Sequence, residues 1–159
     1  MARITANSPI IGVVPAITGG DTFFFPRFDP ERDEAVLSSY ISRIVRRETG
    51  YQCTFRLRCS NGLSVKAYYG TFLERTATDL ECGTMDMDKS ILAVIEHQGN
   101  ALDERKPAFF QSAVLYTTKE GQRRVRTCNL AVNVVRFAGS VFESALVQSI
   151  AGCWAKQGM

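Results

Sequence analysis

The spacing of apolar residues changes along the chain, and each change predicts a different kind of element. Residues 10–17 (IIGVVPAI) form an almost continuously apolar run. Such a run is typical of a strand buried on both faces, and Pro15 indicates an end or a bulge in it. Residues 22–25 predict a short second strand. The chain therefore opens with a predicted strand pair.

A helical spacing follows. Asp29 is the predicted N-cap and Pro30 the first helical position. Apolar residues then recur every three or four positions and form one face: Val36, Leu37, Tyr40, Ile41, Ile44 and Val45. Arginines near the C-terminal end suit the helix dipole, and Gly50 is the predicted C-terminal cap.

From residue 51 the spacing changes to two, which is typical of half-buried strands. Ser60-Asn61-Gly62 predicts a hairpin turn between the first strand and the next. The predicted strands are residues 51–59, 63–67, 68–73, 91–95, 109–117 and 125–135. Residues 75–88 are polar and predict turns, and residues 119–122 predict the turn before the last strand.

The C-terminal segment is again helical in pattern. Ser140 and Glu143 have the spacing of a capping box, with Ser140 as the N-cap. Together, these elements predict an α+β fold with an antiparallel β-sandwich or barrel of about six strands between helical segments.

Composition excludes several classes of protein. The chain has 159 residues, a net charge of +3 and 45% hydrophobic residues, which suits one globular domain. Its five cysteines include no CxxC pair, so we expect reduced thiols in a cytosolic protein and no zinc site. The sequence shows no signal-peptide pattern and no membrane-spanning run, so any membrane role is predicted to be peripheral.

Residues capable of catalysis are scattered. His97 is the single histidine, and the sequence places no nucleophile beside it. Asp86 and Asp88 lack the further ligands of a calcium loop, and Gly19-Gly20 lacks the second half of a phosphate loop. We therefore predict no catalytic residue, no metal ligand and no cofactor in this chain.

Arginines at alternate positions are the strongest candidate binding residues. Arg56 and Arg58 share one face of a predicted strand, and so do Arg124 and Arg126. Three interpretations stay open: a solvated sheet face, a site for carboxylates, or an RNA-binding face. The last would use as stacking aromatics Tyr68, Tyr69 and Phe72.

Three blocks together resemble the cargo-binding subunit of the inner COPII vesicle coat. Residues 51–80 contain an R-x-R strand, a Ser-x-Gly-Leu turn and a Tyr-Gly strand, followed by Arg and Asp-Leu. Residues 111–130 contain Gln-x-Ala-x-Leu-Tyr-Thr and Gly-Gln-Arg-Arg-x-Arg, and residues 18–26 contain Thr-Gly-Gly. The blocks keep the family's order and spacing.

The resemblance implies a divided architecture. Residues 1–48 resemble the end of a von Willebrand-like trunk domain, residues 49–137 most of the β-sandwich, and residues 138–159 the start of a helical domain. The chain would then be a fragment of a longer coat subunit, whose zinc site is expected in an upstream domain outside this sequence.

The resemblance also implies a function. The family binds export signals on cytoplasmic tails of cargo proteins, together with its partner subunit of the inner coat, on the cytoplasmic side of the endoplasmic reticulum. The family's R-x-R strand maps onto Arg56 and Arg58, which would bind acidic signals. Ser64 stands where the family often has a third arginine. A structural or interface role is implied for Arg123, Arg124 and Arg126, and nucleic-acid binding is the alternative.

Overall fold

The structure is a computed structural model that describes residues 9–99 and 102–158. Helices flank a run of strands in the described residues. In chain order the elements are α1 (Pro9–Thr18), α2 (Pro30–Arg46), β1 (Thr49–Cys59), β2 (Leu63–Tyr69), β3 (Leu73–Glu74), β4 (Asp79–Asp86), β5 (Leu92–His97), β6 (Ala108–Thr117), β7 (Arg123–Val132), α3 (Ala138–Glu143) and α4 (Val147–Gln157).

The strands form two antiparallel sheets. The larger has the order β3-β4-β1-β6-β7, and the smaller pairs β2 with β5. Strand β2 contacts β1, which brings the two sheets together. The predicted α+β class is confirmed. Within the described part of the chain both sheets are open, so the barrel alternative is wrong.

The most deeply buried side chains lie where β1 pairs with β4. Cys53 lies opposite Cys82, and Phe55 lies opposite Leu80. The exposed fractions of Leu80, Cys53 and Cys82 are 0%, 2% and 3%. These side chains point to the face of the sheet opposite Arg56, because successive residues of a strand alternate between faces. Packing of this buried face therefore fixes the register of β1, whose other face carries Arg56.

The first apolar run forms α1, so the prediction of a buried strand at residues 10–17 is wrong. A helix satisfies its backbone hydrogen bonds internally, whereas a buried strand needs a neighbour on each side. Gly19 ends the helix with φ +74°, and the Gly20 N–H donates to the Pro15 carbonyl over 2.9 Å. A short apolar run does not distinguish the two structures by spacing alone.

The segment between α1 and α2 also differs from the prediction. Residues 22–25 form no strand. The ring of Phe23 instead stacks on Tyr40 of α2, with 4.5 Å between the ring centres. Aromatic packing on a helix therefore replaces the predicted strand pairing.

The start of α2 is confirmed and its end is not. Asp29 is the N-cap, and its carboxylate accepts a hydrogen bond from the Glu31 N–H. Hydrogen bonds from Arg32, and then from the backbone of Asp29, lower the pKa of Asp33 to about 2. The C-cap is Arg47, and Gly50 already belongs to β1. The predicted cap at Gly50 is wrong because the backbone is already extended at Arg47, three residues earlier.

Two predictions about the strands are wrong. The Ser60-Asn61-Gly62 turn is present, with φ +90° at Gly62, but it connects β1 to a strand of the other sheet. Residues 75–88 contain β4, an interior strand of the larger sheet, where turns were predicted. A turn motif fixes the local backbone, whereas the choice of partner strand depends on burial elsewhere in the fold.

The predicted cap at Ser140 is also wrong. Ser140 lies inside α3, whose N-cap is Phe137 without a side-chain cap. The chain breaks between α3 and α4 where the N–H of Ala145 donates to the Phe142 carbonyl, so the C-terminal segment is two helices.

Candidate functional site

One face of the larger sheet carries Arg56 and Arg58, and we call it the arginine face. Arg56 lies opposite Ala113 of β6, and Arg58 lies opposite Gln111. The face surrounds a cavity of about 360 Å³. Its lining comes from four strands: Thr54, Arg56, Arg58, Asp79, Gln111, Ala113, Leu115 and Val125. Charged groups therefore lie beside aliphatic side chains, which form the floor of the cavity.

Arg56 is already paired with a carboxylate. Its Nε and Nη2 donate to Asp79 Oδ1 and Oδ2 over 2.5 and 2.6 Å, which is a bidentate contact. The β1–β4 register places the two residues directly opposite each other. The hydrogen bond from Arg56 lowers the pKa of Asp79, and the same pair raises the pKa of Arg56. Both groups are therefore charged at neutral pH.

Arg58 is the more available guanidinium. No residue of 9–99 or 102–158 forms an ion pair or hydrogen bond with it. Its neighbour Gln111 donates from Nε2 to Asn129 Oδ1 over 2.9 Å. An exposed guanidinium beside a fixed polar neighbour suits a carboxylate ligand, because its planar fork matches both oxygens.

The arginines of the basic run at residues 122–126 do not line the cavity of this site. The β6–β7 register places Arg124 and Arg126 on the opposite face of the sheet. Arg123 does lie on the arginine face, but its Nη1 donates to the Gln52 carbonyl and to Thr117 Oγ1, both over 2.8 Å. The structural or interface role of Arg123, Arg124 and Arg126 stays a prediction.

The RNA-binding interpretation needs aromatic rings beside the arginines. Tyr68 and Tyr69 belong to β2 in the smaller sheet. The ring of Tyr68 packs edge-on against Phe72, with 6.3 Å between centres. None of these three aromatics lines the cavity of the arginine face. The arrangement gives this interpretation no support.

Asp79 is the site residue that the sequence analysis missed. It was grouped with residues 75–88 as a turn-forming aspartate, and β4 was not recognised. A signal was present, because Leu80 and Cys82 are apolar at alternate positions between polar neighbours. The pairing partner of that strand is a long-range property that spacing does not specify.

A second charged cluster joins α2 to the loop after β4. Arg47 contacts Asp21 at 2.5 Å, Asp86 at 3.1 Å and Asp88 at 3.6 Å. Burial alone would raise the pKa of Asp21, but hydrogen bonds from Arg47 and Lys89 outweigh it and lower the pKa. In the described part of the chain no group of three or more residues is placed to hold a metal ion. The ion pairs of Arg47 therefore link the end of α2 to the residues at and after the end of β4.

A domain of a known protein family matches the part of the chain that contains the arginine face. The Sec23/Sec24 beta-sandwich domain matches residues 50–135, more than half of the chain. The chain belongs to the Sec23/Sec24 family. This confirms the resemblance that the three sequence blocks indicated.

Relatives in this family cover nearly the whole chain. The Arabidopsis thaliana "Protein transport protein SEC24 B" is 33% identical over 147 residues, and human "Protein transport protein Sec24C" is 31% identical over 146. Each match covers 92% of this chain. The chain spans 13% of the length of either relative.

A solved structure supports the fold. The crystal structure of the human COPII-coat protein Sec24c superposes with a TM-score of 0.87 at 31% identity. The match covers 92% of this chain and 20% of the Sec24c chain. Over residues 9–99 and 102–158, no helix has the length and apolar character needed to cross a membrane.

Proposed function

We propose that this chain is part of a COPII coat component that acts in transport from the endoplasmic reticulum to the Golgi. The observation that supports this most strongly is the match of the fold to the human COPII-coat protein Sec24c at a TM-score of 0.87. The chain acts as a protein-interaction module without catalysis. Its partners are a second subunit of the inner coat and the cytoplasmic tails of cargo proteins.

The proposed domain division follows the family match. Residues 49–137 form most of the β-sandwich, and the matched range 50–135 supports these limits. Residues 1–48 belong to the end of the trunk domain, and residues 138–159 to the start of the helical domain. The module lies on the cytoplasmic side of the endoplasmic reticulum membrane and on the vesicles formed there. The zinc site expected for the family belongs to a domain upstream of these residues.

The arginine face is the proposed cargo site. Arg56 and Arg58 bind carboxylates of acidic export signals, because guanidinium groups on one strand face present hydrogen-bond donors at a fixed spacing. Arg58 makes the first contact, since it has no ion-pair partner among the described residues. Ala113, Leu115 and Val125 form the aliphatic floor beside it.

Replacing both arginines tests this site. We expect Arg56→Ala with Arg58→Ala to weaken binding of an acidic signal peptide roughly five- to thirtyfold, from the loss of two exposed charge contacts. Fluorescence anisotropy with a labelled peptide measures the change. The matched control is Arg124→Ala with Arg126→Ala, which removes the same charge from the opposite face. Equal loss of affinity in both double variants would show general charge attraction and sink the proposed site.

A further inference from the structure

We propose that the Asn61-Gly62 turn is a site of spontaneous deamidation, at which the Asn61 carboxamide is converted to a carboxylate through a cyclic imide. The turn joins β1 to β2 and therefore connects the larger sheet to the smaller one. The modification changes both the charge and the backbone at this connection. The inference concerns the chemistry of the chain itself and does not depend on its proposed role in the coat.

The two reacting groups are adjacent in the sequence and free of competing contacts. Asn61 is exposed. Over residues 9–99 and 102–158, neither the Asn61 side chain nor the Gly62 N–H takes part in a hydrogen bond with the protein. Neither group therefore has to give up a protein contact before the Gly62 nitrogen attacks the side chain of Asn61.

The turn requires glycine at the position that makes Asn61 reactive. Gly62 has a φ of +90°, in the left-handed region that favours glycine. A Cβ added to Gly62 would also lie 2.9 Å from Cδ2 of Leu102. Because glycine has no side chain, nothing attached to its own Cα crowds the attacking nitrogen. The fold therefore keeps the least hindered nucleophile beside Asn61.

The reaction consumes water and involves no oxidant or reductant. The Gly62 nitrogen gives its proton to a solvent base and forms a bond to Asn61 Cγ. The Cγ–Nδ2 bond breaks, and Nδ2 leaves as ammonia after taking a proton from water. The chain holds both reacting atoms close together, which favours closure of this five-membered ring.

Water then opens the imide in one of two ways. Cleavage of the new bond between the Gly62 nitrogen and Cγ gives aspartate on a normal backbone. Cleavage of the original peptide bond gives isoaspartate, in which the backbone runs through the side chain of residue 61. Both products carry one more negative charge than the starting chain.

Isoaspartate is expected to disturb the connection between the sheets. The turn is closed by a hydrogen bond from the Leu63 N–H to the Ser60 carbonyl over 3.2 Å. The Gly62 carbonyl accepts a second hydrogen bond, from the Gln98 N–H over 2.9 Å. The additional backbone carbon changes the positions of both Gly62 and Leu63 relative to their partners. The isoaspartate form should therefore be less stable than the unmodified chain.

Peptide mapping of the full chain after incubation at neutral pH tests the site. Trypsin cleaves after Arg58 and Lys66, so residues 59–66 are released as one peptide. We expect this peptide to gain, with time, the mass difference between a hydroxyl and an amino group. The conversion should be faster at alkaline pH, because the attacking nitrogen must lose its proton. Protein isoaspartyl methyltransferase with labelled S-adenosylmethionine should label the same peptide.

One variant and one internal control accompany this measurement. Asn61→Gln keeps the amide and the charge but has one more rotatable bond before the reacting carbon, so we expect it to react at least about tenfold more slowly. Asn129 is the internal control, since its Oδ1 accepts from Gln111 and the next residue is Leu130. The tryptic peptide of residues 127–136 should stay unmodified.

A synthetic peptide of residues 59–66 shows whether the conditions permit the reaction. If that peptide converts while residues 59–66 of the folded chain stay unmodified, the proposal is overturned. Equal conversion of wild type and Asn61→Gln would also overturn it. The isolated isoaspartate form should melt at a lower temperature than Asn61→Asp, which has the same charge on a normal backbone. Equal melting temperatures would contradict the expected effect on the connection.

Discussion

Replacing Leu80 with alanine is expected to lower the free energy of unfolding by about 2–5 kcal/mol. Leu80 is fully buried, with 0% of its surface exposed, on β4, an interior strand of the larger sheet. The substitution removes buried methyl groups and leaves a cavity that the strands beside it fill only partly. Urea denaturation monitored by circular dichroism measures the difference.

The control for this prediction is Leu73→Ala on the adjacent edge strand. Leu73 is 46% exposed, so its truncation should change the free energy of unfolding by about 1 kcal/mol or less. Equal destabilisation by the two substitutions would contradict the assignment of the core to the β1–β4 pair.

Replacing Arg47 with methionine is expected to cost about 3 kcal/mol of folding free energy. Methionine keeps much of the side-chain volume but removes the charge that faces Asp21, Asp86 and Asp88. The Asp86 side chain is 1% exposed, so its carboxylate would stay buried without this partner. Arg46→Met is the control, because Arg46 is exposed on the preceding position.

The pH dependence of the Arg47 variant follows from Asp21. The pKa of Asp21 in the folded protein is lower than its value of 3.8 in the unfolded chain. Asp21 therefore contributes stability that is fully present above pH 3.8 and is lost as pH falls through the lower folded pKa. Without Arg47 the folded pKa rises, so Arg47→Met should lose less stability on acidification than wild type. A steeper acid loss in the variant would contradict the role of this cluster.

Elements with a clear spacing were predicted well. The period of two in β1, β6 and β7 identified these strands, and Asp29-Pro30 identified the start of α2. The failures have a common physical cause. Residues 10–17 are apolar in a way that suits helix and strand equally, and the polar side chains of β4 concealed its alternation. In both segments the structure depends on the neighbouring elements of the fold, and a local sequence pattern gives no information about those neighbours.

For the same reason, only part of the candidate site could be predicted from the sequence. Alternation along one strand places Arg56 and Arg58 on one face, so the sequence was sufficient for that pair. The contact with Asp79 depends on which strand lies beside β1 and in which register. Likewise, the separation of Arg124 and Arg126 from the arginine face depends on the pairing of β7 with β6.

The most direct test of the proposed function is a vesicle-budding reaction with purified coat components and membranes that carry an acidic-signal cargo. The reaction is run with wild type, with Arg56→Ala and Arg58→Ala, and with Arg124→Ala and Arg126→Ala. We expect all three proteins to support vesicle formation, and only the first double variant to release vesicles depleted in that cargo. Equal packaging of the acidic cargo by all three would contradict the account.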